Sequence, residues 1–180
     1  MLLISQNLMN YGMVFPDDVV LRINMAWVEN IEKFKETLDK HDSDFFIDFP
    51  SGRVKPPNNK YTMAQLMPIF QDYPNIKYLA ISNVESPDDI VKYSELIGQR
   101  PRIVPKIETV RGVKNISKIS TKLSRGDYIM LDHDDLFTDV IKKNQSTKDF
   151  LDLIDTLVSF CNSSDFNLLR TRGVIFSERI

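Results

Sequence analysis

The segment Arg102-Ile-Val-Pro-Lys-Ile-Glu108 is followed by a helical pattern and then by Asp127-Tyr-Ile-Met-Leu-Asp-His-Asp-Asp135. Each segment is a short apolar run that ends in charged residues, which is typical of a buried parallel strand that delivers polar side chains to one sheet edge. Two such strands side by side would bring Glu108 and Asp135 together. Their carboxylates would repel each other unless a cation lay between them. Because oxygen-only ligands favour Mg²⁺ or Mn²⁺ over zinc, the sequence predicts a hard-metal site at these two residues.

Lys106 lies two residues before Glu108 and therefore on the same face of the predicted strand. Its ammonium group would place a point charge beside the metal. Such an arrangement can stabilise an enolate or a phosphoryl group. Two plainer interpretations stay open: Lys106 forms a structural ion pair with Glu108 or Asp48, and the acids are solvated residues at strand ends.

Short apolar strands alternate with helical patterns along the chain, which predicts βαβ units and a parallel sheet. One helical stripe joins Trp27, Ile31, Phe34 and Leu38 and predicts a core position for Trp27. We expect an α/β fold, a TIM-barrel-like parallel β/α sheet that is truncated or incomplete, with about six to seven strands. Besides a short first strand at Leu2 to Ser5, the predicted strands are Val19 to Ile23, Phe45 to Phe49, Ile76 to Ser82, Arg102 to Ile107, Tyr128 to Leu131 and Gly173 to Phe176.

Three other helices are predicted. One starts at Ser86-Pro-Asp-Asp89, a second runs from Val113 to Leu123, and a third runs from Thr147 to Cys161. The first of these has a capping serine, proline at the first helical position and acids in the first turn. A shorter stripe contains Leu66 and Phe70.

Polar residues stand at the ends of most predicted strands. In a parallel barrel all strand ends converge on the carboxyl-terminal face, where such folds carry their chemistry. The chain has no glycine-rich phosphate loop of either nucleotide-binding type, which disfavours an open doubly wound sheet. The residues expected to converge are Arg22, Asn24, Asp48, Ser82, Asn83, Lys106, Glu108 and Asp135.

The chain of 180 residues has the composition of an ordinary globular protein, with 42% apolar and 27% charged residues, and we expect one domain over residues 1–180. Its net charge is −2 with the two signs interspersed, so we expect neither a nucleic-acid binder nor a membrane binder. No apolar stretch approaches the length of a membrane span. The single cysteine, Cys161, lies in an apolar helical pattern and predicts a buried thiol in a reducing cytoplasm.

Taken in this order, the strand ends resemble those of the catalytic barrel of pyruvate kinase, from about Val19 to Val140. The resemblance implies that Lys106 and Arg22 are catalytic, that Ser82, Asn24 and Asp48 bind substrate, and that Glu108 and Asp135 bind Mg²⁺ or Mn²⁺. The segments that carry it are Leu21-Arg-Ile-Asn24, Ile47-Asp-Phe-Pro-Ser-Gly-Arg-Val-Lys55, Ala80-Ile-Ser-Asn-Val-Glu-Ser86, Val104-Pro-Lys-Ile-Glu108 with Gly112-Val113, and Leu131 to Leu136.

The second half also resembles the citrate lyase β-subunit and 2-oxo acid aldolase branch of the same superfamily, through Val84-Glu-Ser-Pro-Asp-Asp89 and Ile107-Glu-Thr109. Lys106 is typical of the kinases instead. The lid domain that pyruvate kinase inserts after its third strand is missing, because Pro56 to Lys60 leads almost at once into the next helix. Glu178 stands at the position of a catalytic threonine.

A monovalent cation is disfavoured because Ala26 stands where the kinases have a hydroxyl that helps to bind it. Only Asn24 and Asp48 would be left as partial ligands.

The resemblance therefore implies a Mg²⁺-dependent enzyme that acts on pyruvate, phosphoenolpyruvate or a related 2-oxo acid through a metal-stabilised enolate. Lyase or aldolase chemistry is favoured over phosphoryl transfer to ADP, since the lid is missing. The alternatives are a non-catalytic barrel remnant that binds a ligand or a partner, and a structural fragment completed by another subunit. A sheet of six or seven strands cannot close the usual barrel, so we also expect a homo-oligomer that covers the open edge.

Overall fold

A computed structural model describes residues 1–5, 16, 19–51, 57 and 60–170 of the chain. Its strands form one seven-stranded sheet in which every neighbouring pair is parallel and the strand order follows the chain order. The sheet curls into a half-barrel with helices between the strands, which confirms the predicted fold class. The strands are β1 (Leu2–Ser5), β2 (Val19–Asn24), β3 (Asp44–Phe49), β4 (Ile76–Ile81), β5 (Arg102–Ile107), β6 (Tyr128–Leu131) and β7 (Asn167–Arg170).

From β2 onward, the described helices connect successive strands, as parallel pairing requires. Two of them begin as predicted, since a capping box at Ser86 and Asp89 starts one and Ser146 caps another. None of the helices in the described ranges is both long and apolar enough to cross a membrane. The helices are α1 (Ile31–Asp39), α2 (Met63–Asp72), α3 (Pro87–Ile97), α4 (Val110–Lys114), α5 (Ile116–Ile119), α6 (His133–Lys142) and α7 (Thr147–Ser163), with 3₁₀ turns at Met25–Trp27 and Ser120–Lys122.

The two faces of the sheet carry alternate residues of each strand. One face packs against the helices and holds most of the apolar core, including the fully buried Leu21, Ile47 and Leu79. The concave face has its own apolar layer, formed by Val20, Phe46, Ala80, Val104 and Met130.

The concave face also has a polar layer, because each apolar residue of the concave layer is followed two positions later by a polar residue on the same face. Because side chains repeat with a period of two along a strand, a charged or hydroxyl group stands above every apolar one. The register is staggered at two strand pairs, since Arg22 pairs with Phe46 and Lys106 pairs with Met130, so the polar residue of one strand lies beside the apolar residue of the next. The polar layer consists of Arg22, Asp48, Ser82, Lys106 and Asp132.

Some predicted elements differ from the structure. The last described strand is β7, which the sequence did not predict, and the predicted strand Gly173 to Phe176 and Glu178 lie outside the described residues. The predicted helix from Val113 to Leu123 is broken at Asn115, which ends α4 and begins α5. Helix α6 was also not predicted.

The outer strands of the described sheet are β1 and β7, and each has a single strand partner there. A homo-oligomer that covers these edges stays a prediction.

Candidate active site

A cavity of about 380 Å³ opens at the carboxyl ends of the strands. Six of the seven residues predicted from sequence as site residues line it, and the seventh, Asp48, is fully buried beneath two of them. The strand ends therefore converge as parallel strands require. The predicted residues in the lining are Arg22, Asn24, Ser82, Lys106, Glu108 and Asp135.

Lys106 lies at the floor of this cavity and is only 5% exposed. Its Nζ lies 2.7 Å from Glu108 Oε1, 3.3 Å from Asp48 Oδ1 and 4.0 Å from Asp132 Oδ2. It also donates a hydrogen bond of 3.3 Å to Ser82 Oγ. Burial lowers the pKa of Lys106, but Asp48 and Glu108 more than reverse this effect, so the pKa lies above its ordinary value. The ammonium group therefore keeps its charge at neutral pH.

Asp48 joins the two cations of the floor. One carboxylate oxygen accepts a hydrogen bond from the Arg22 guanidinium, and the other forms an ion pair with Lys106, without hydrogen-bond geometry. Burial raises the pKa of Asp48, but Lys106 and Arg22 outweigh burial and hold that pKa below its ordinary value. Asp48 is thus an ionised, buried anchor for both basic side chains.

Three carboxylates form a cluster on one wall of the cavity: Glu108, Asp132 and Asp135. Each offers one oxygen, and these oxygens lie within 4.8 Å of one another. Glu108 and Asp135 thus lie as close together as the strand pattern predicts. Asp132 was not predicted as a member; it caps α6 by accepting a hydrogen bond of 3.3 Å from Asp135 N.

Glu108 is the buried member of the cluster. Its Oε1 contacts Lys106, and its Oε2 accepts a hydrogen bond of 2.7 Å from Asn83 N. Burial raises the pKa of Glu108 above its ordinary value although Lys106 and Asn83 act in the opposite direction. A bound cation would stabilise the ionised form. The three carboxylates each offer an oxygen ligand, so the cluster could hold a metal ion.

Trp27 is at the cavity wall rather than in the core, so its predicted core position is wrong. The side chain is 64% exposed and lines the cavity. Helix α1 begins only at Ile31, where the Asn30 side chain caps it by accepting a hydrogen bond of 2.7 Å from Lys33 N. The stripe that includes Phe34 and Leu38 therefore does not extend back to Trp27.

No protein-family model and no curated protein sequence matches this chain. Its fold is similar to the crystal structure of RipC from Yersinia pestis, with a TM-score of 0.61 over 88% of this chain and 72% of the RipC chain. The two sequences are 13% identical. At this identity the similarity establishes a shared fold and nothing about activity.

Proposed function

We propose that this protein is a Mg²⁺-dependent enzyme that acts on pyruvate, phosphoenolpyruvate or a related 2-oxo acid. The observation that carries the proposal is the position of Lys106, a buried ammonium group beside the cluster of Glu108, Asp132 and Asp135. A fixed positive charge next to a hard-cation site suits a substrate in which negative charge develops on oxygen.

Glu108, Asp132 and Asp135 are the residues that would hold the cation. Mg²⁺ takes oxygen ligands and keeps several sites for water or substrate, and three carboxylates leave such sites open. When bound, the cation would act as a Lewis acid that stabilises negative charge on the carbonyl oxygen of the substrate.

Arg22 and Lys106 would bind the acid end of the substrate. The Arg22 side chain is 23% exposed and lines the cavity, and its buried Nε has no hydrogen-bond partner among the described residues. A guanidinium group with free donors matches the geometry of a carboxylate. Ser82 and Asn24 add polar groups to the same wall.

Lys106 would act as a proton donor rather than as a base. Its raised pKa keeps a proton on Nζ at neutral pH, where a base would need a free amine. From the cavity floor, Nζ can donate this proton to a substrate atom bound between Arg22 and Glu108. The hydrogen bond to Ser82 Oγ orients the ammonium group for this step.

Lyase or aldolase chemistry is favoured over phosphoryl transfer to a nucleotide. Phosphoryl transfer requires in-line positioning of the nucleotide and exclusion of water, which a lid provides. Between the end of β3 at Phe49 and the start of α2 at Met63 there is no room for a lid domain. A cytoplasmic location belongs to the same proposal.

Calorimetric titration with Mg²⁺ and oxalate, a mimic of enolpyruvate, tests the binding step. We expect oxalate to bind only with Mg²⁺, and we expect Glu108→Gln to abolish this binding. Asp134→Asn is the matched control, because Asp134 lines the same cavity outside the carboxylate cluster. Absence of Mg²⁺-dependent oxalate binding to the wild type would refute the proposal.

Two activity assays then separate the remaining possibilities. Cleavage of oxaloacetate to pyruvate and CO₂, in which the electron pair of the broken carbon–carbon bond passes to the enolate and Lys106 supplies the proton, should occur in the wild type and disappear in Glu108→Gln. Binding of oxalate without any turnover would instead support the alternative of a non-catalytic remnant. Rapid phosphorylation of ADP from phosphoenolpyruvate would overturn the preference for lyase chemistry.

A further inference from the structure

We infer that the preferred substrate is a 2-oxo acid with a planar, uncharged substituent, and that Trp27 binds this substituent at the cavity mouth. The inference rests on the proposed function and names the substrate class for that site. It starts from the exposure of Trp27, which the core of the protein does not explain.

The backbone holds the indole outside the core. Trp27 ends the 3₁₀ turn that follows β2, and the Asn24 side chain caps this turn by accepting a hydrogen bond of 3.0 Å from Ala26 N. Met25, Ala26 and Val28 are all buried, and Val28 N donates a hydrogen bond of 3.3 Å to Met25 O. With its neighbours fixed in the core, the indole is presented to the cavity.

Trp27 is the single aromatic residue among the described residues that line the cavity. Most of the others are charged or polar, whereas ligand pockets usually have mainly apolar walls. The indole therefore supplies the large apolar surface of this site. Tryptophan in such a position favours a flat partner, because aromatic rings attract each other in stacked or edge-to-face arrangements.

The size of the cavity also favours a substrate larger than pyruvate. If each heavy atom takes about the volume of one water in the liquid, ~30 Å³, the six heavy atoms of pyruvate fill roughly 180 Å³. The cavity holds about 380 Å³. A phenyl ring attached to pyruvate would use the remaining space next to Trp27.

The charges on α6 disfavour an anionic substituent. Asp134 of this helix lines the cavity in addition to the acids of the carboxylate cluster, whereas Asp139 forms an ion pair with Lys143 at 2.6 Å. Lys142 is the one basic residue that α6 adds to the described lining. A phosphate or a second carboxylate at the mouth would therefore be repelled, whereas an uncharged ring would not.

Paired titrations with pyruvate and phenylpyruvate in the presence of Mg²⁺ test the inference, because the two acids differ by the ring alone. By calorimetry, we expect phenylpyruvate to bind the wild type about tenfold more tightly than pyruvate. Trp27→Ala should remove most of this preference by weakening the binding of phenylpyruvate, while Trp27→Phe should keep it. Leu96→Ala is the matched control, since Leu96 is an exposed apolar residue outside the cavity.

Fluorescence gives a second readout, because Trp27 is the only tryptophan of the chain. Its emission should change with phenylpyruvate more than with pyruvate. Equal Mg²⁺-dependent affinity of the wild type for both acids would overturn this inference alone, and so would a preference that survives in Trp27→Ala. If the wild type binds neither acid, the inference is wrong, and the oxalate titration decides separately whether the proposed function also fails.

Discussion

Replacing Lys106 with methionine removes the ammonium group that three carboxylates share. Its Nζ lies 2.7 Å from Glu108 Oε1, 3.3 Å from Asp48 Oδ1 and 4.0 Å from Asp132 Oδ2. Methionine has a similar length and adapts to irregular spaces, so the substitution changes charge more than packing. We expect a large loss of stability at pH 7, because the buried acids are left facing one another.

The size of the effect follows from the contacts. With an effective dielectric constant of about 20, the attraction between unit charges at 2.7 Å is about 6 kcal/mol. Transfer of the ammonium group from water costs several kcal/mol and offsets much of this attraction. Removal of one partner nevertheless costs about 3–5 kcal/mol, since the remaining charge stays buried. This loss is a large share of the roughly 5–15 kcal/mol that stabilises a protein domain.

The loss should depend on pH with a defined sign. Burial raises the pKa of Glu108 above its ordinary value of 4.5, and Lys106 opposes that rise. In Lys106→Met the pKa of Glu108 in the folded state is higher still. Below pH 4.5 Glu108 is protonated in both states and costs no stability, and the variant loses stability as the pH rises above 4.5, where the unfolded state releases the proton more readily. The difference in stability between variant and wild type should therefore shrink from pH 7 to pH 4.5.

Urea unfolding monitored by circular dichroism at the two pH values measures both effects. Lys77→Met serves as the control, because Lys77 forms an exposed ion pair with Asp44 at 3.9 Å. Such pairs contribute roughly 0–1 kcal/mol. A loss below about 1 kcal/mol for Lys106→Met at pH 7, or the same loss at both pH values, would refute the reasoning.

Three further predictions concern other parts of the chain. Asp132→Asn, which can still cap α6, should weaken Mg²⁺ binding about tenfold or more in calorimetry, whereas Asp134→Asn should not. Gly112→Ala should lower the free energy of unfolding by about 1–3 kcal/mol and lower the thermal midpoint accordingly, because the added Cβ would lie 2.7 Å from Val84 O. An unchanged midpoint contradicts this. Burial raises the pKa of Cys161 to about 11, so an aromatic disulfide reagent at pH 8 should modify it only after unfolding.

The sequence predicted the sheet and most of its polar edge for one physical reason. Buried parallel strands are continuous apolar runs, and their period of two carries the concave face from Val104 to Lys106 without a change of side. The same rule applies to Phe46 and Asp48. It made the convergence of the strand ends, and the proximity of Glu108 and Asp135, predictable from the sequence.

The parts that were missed depend on competition between local signals. Strand β7, Asn167–Arg170, contains only two apolar residues, so it is too short to show a recognisable strand pattern. Asp132 stands in a run of acids in which spacing alone does not distinguish a helix cap from a metal ligand. Asp132 lies two residues after Met130 and therefore on the same concave face, and this spacing was the signal that could have identified it. Trp27 has helical spacing to Ile31, yet Asn30 between them starts a new helix.

The strand order of the sheet is also the order in which the ribosome delivers the strands. Each strand pairs with the one synthesised just before it, so a docking edge is ready for every new arrival during translation. Arg22 and Asp48 come with β2 and β3 and can pair early. Lys106, Glu108 and Asp132 arrive with the later strands and the residues that follow them. The charged centre is thus completed late, on apolar layers that have already begun to form.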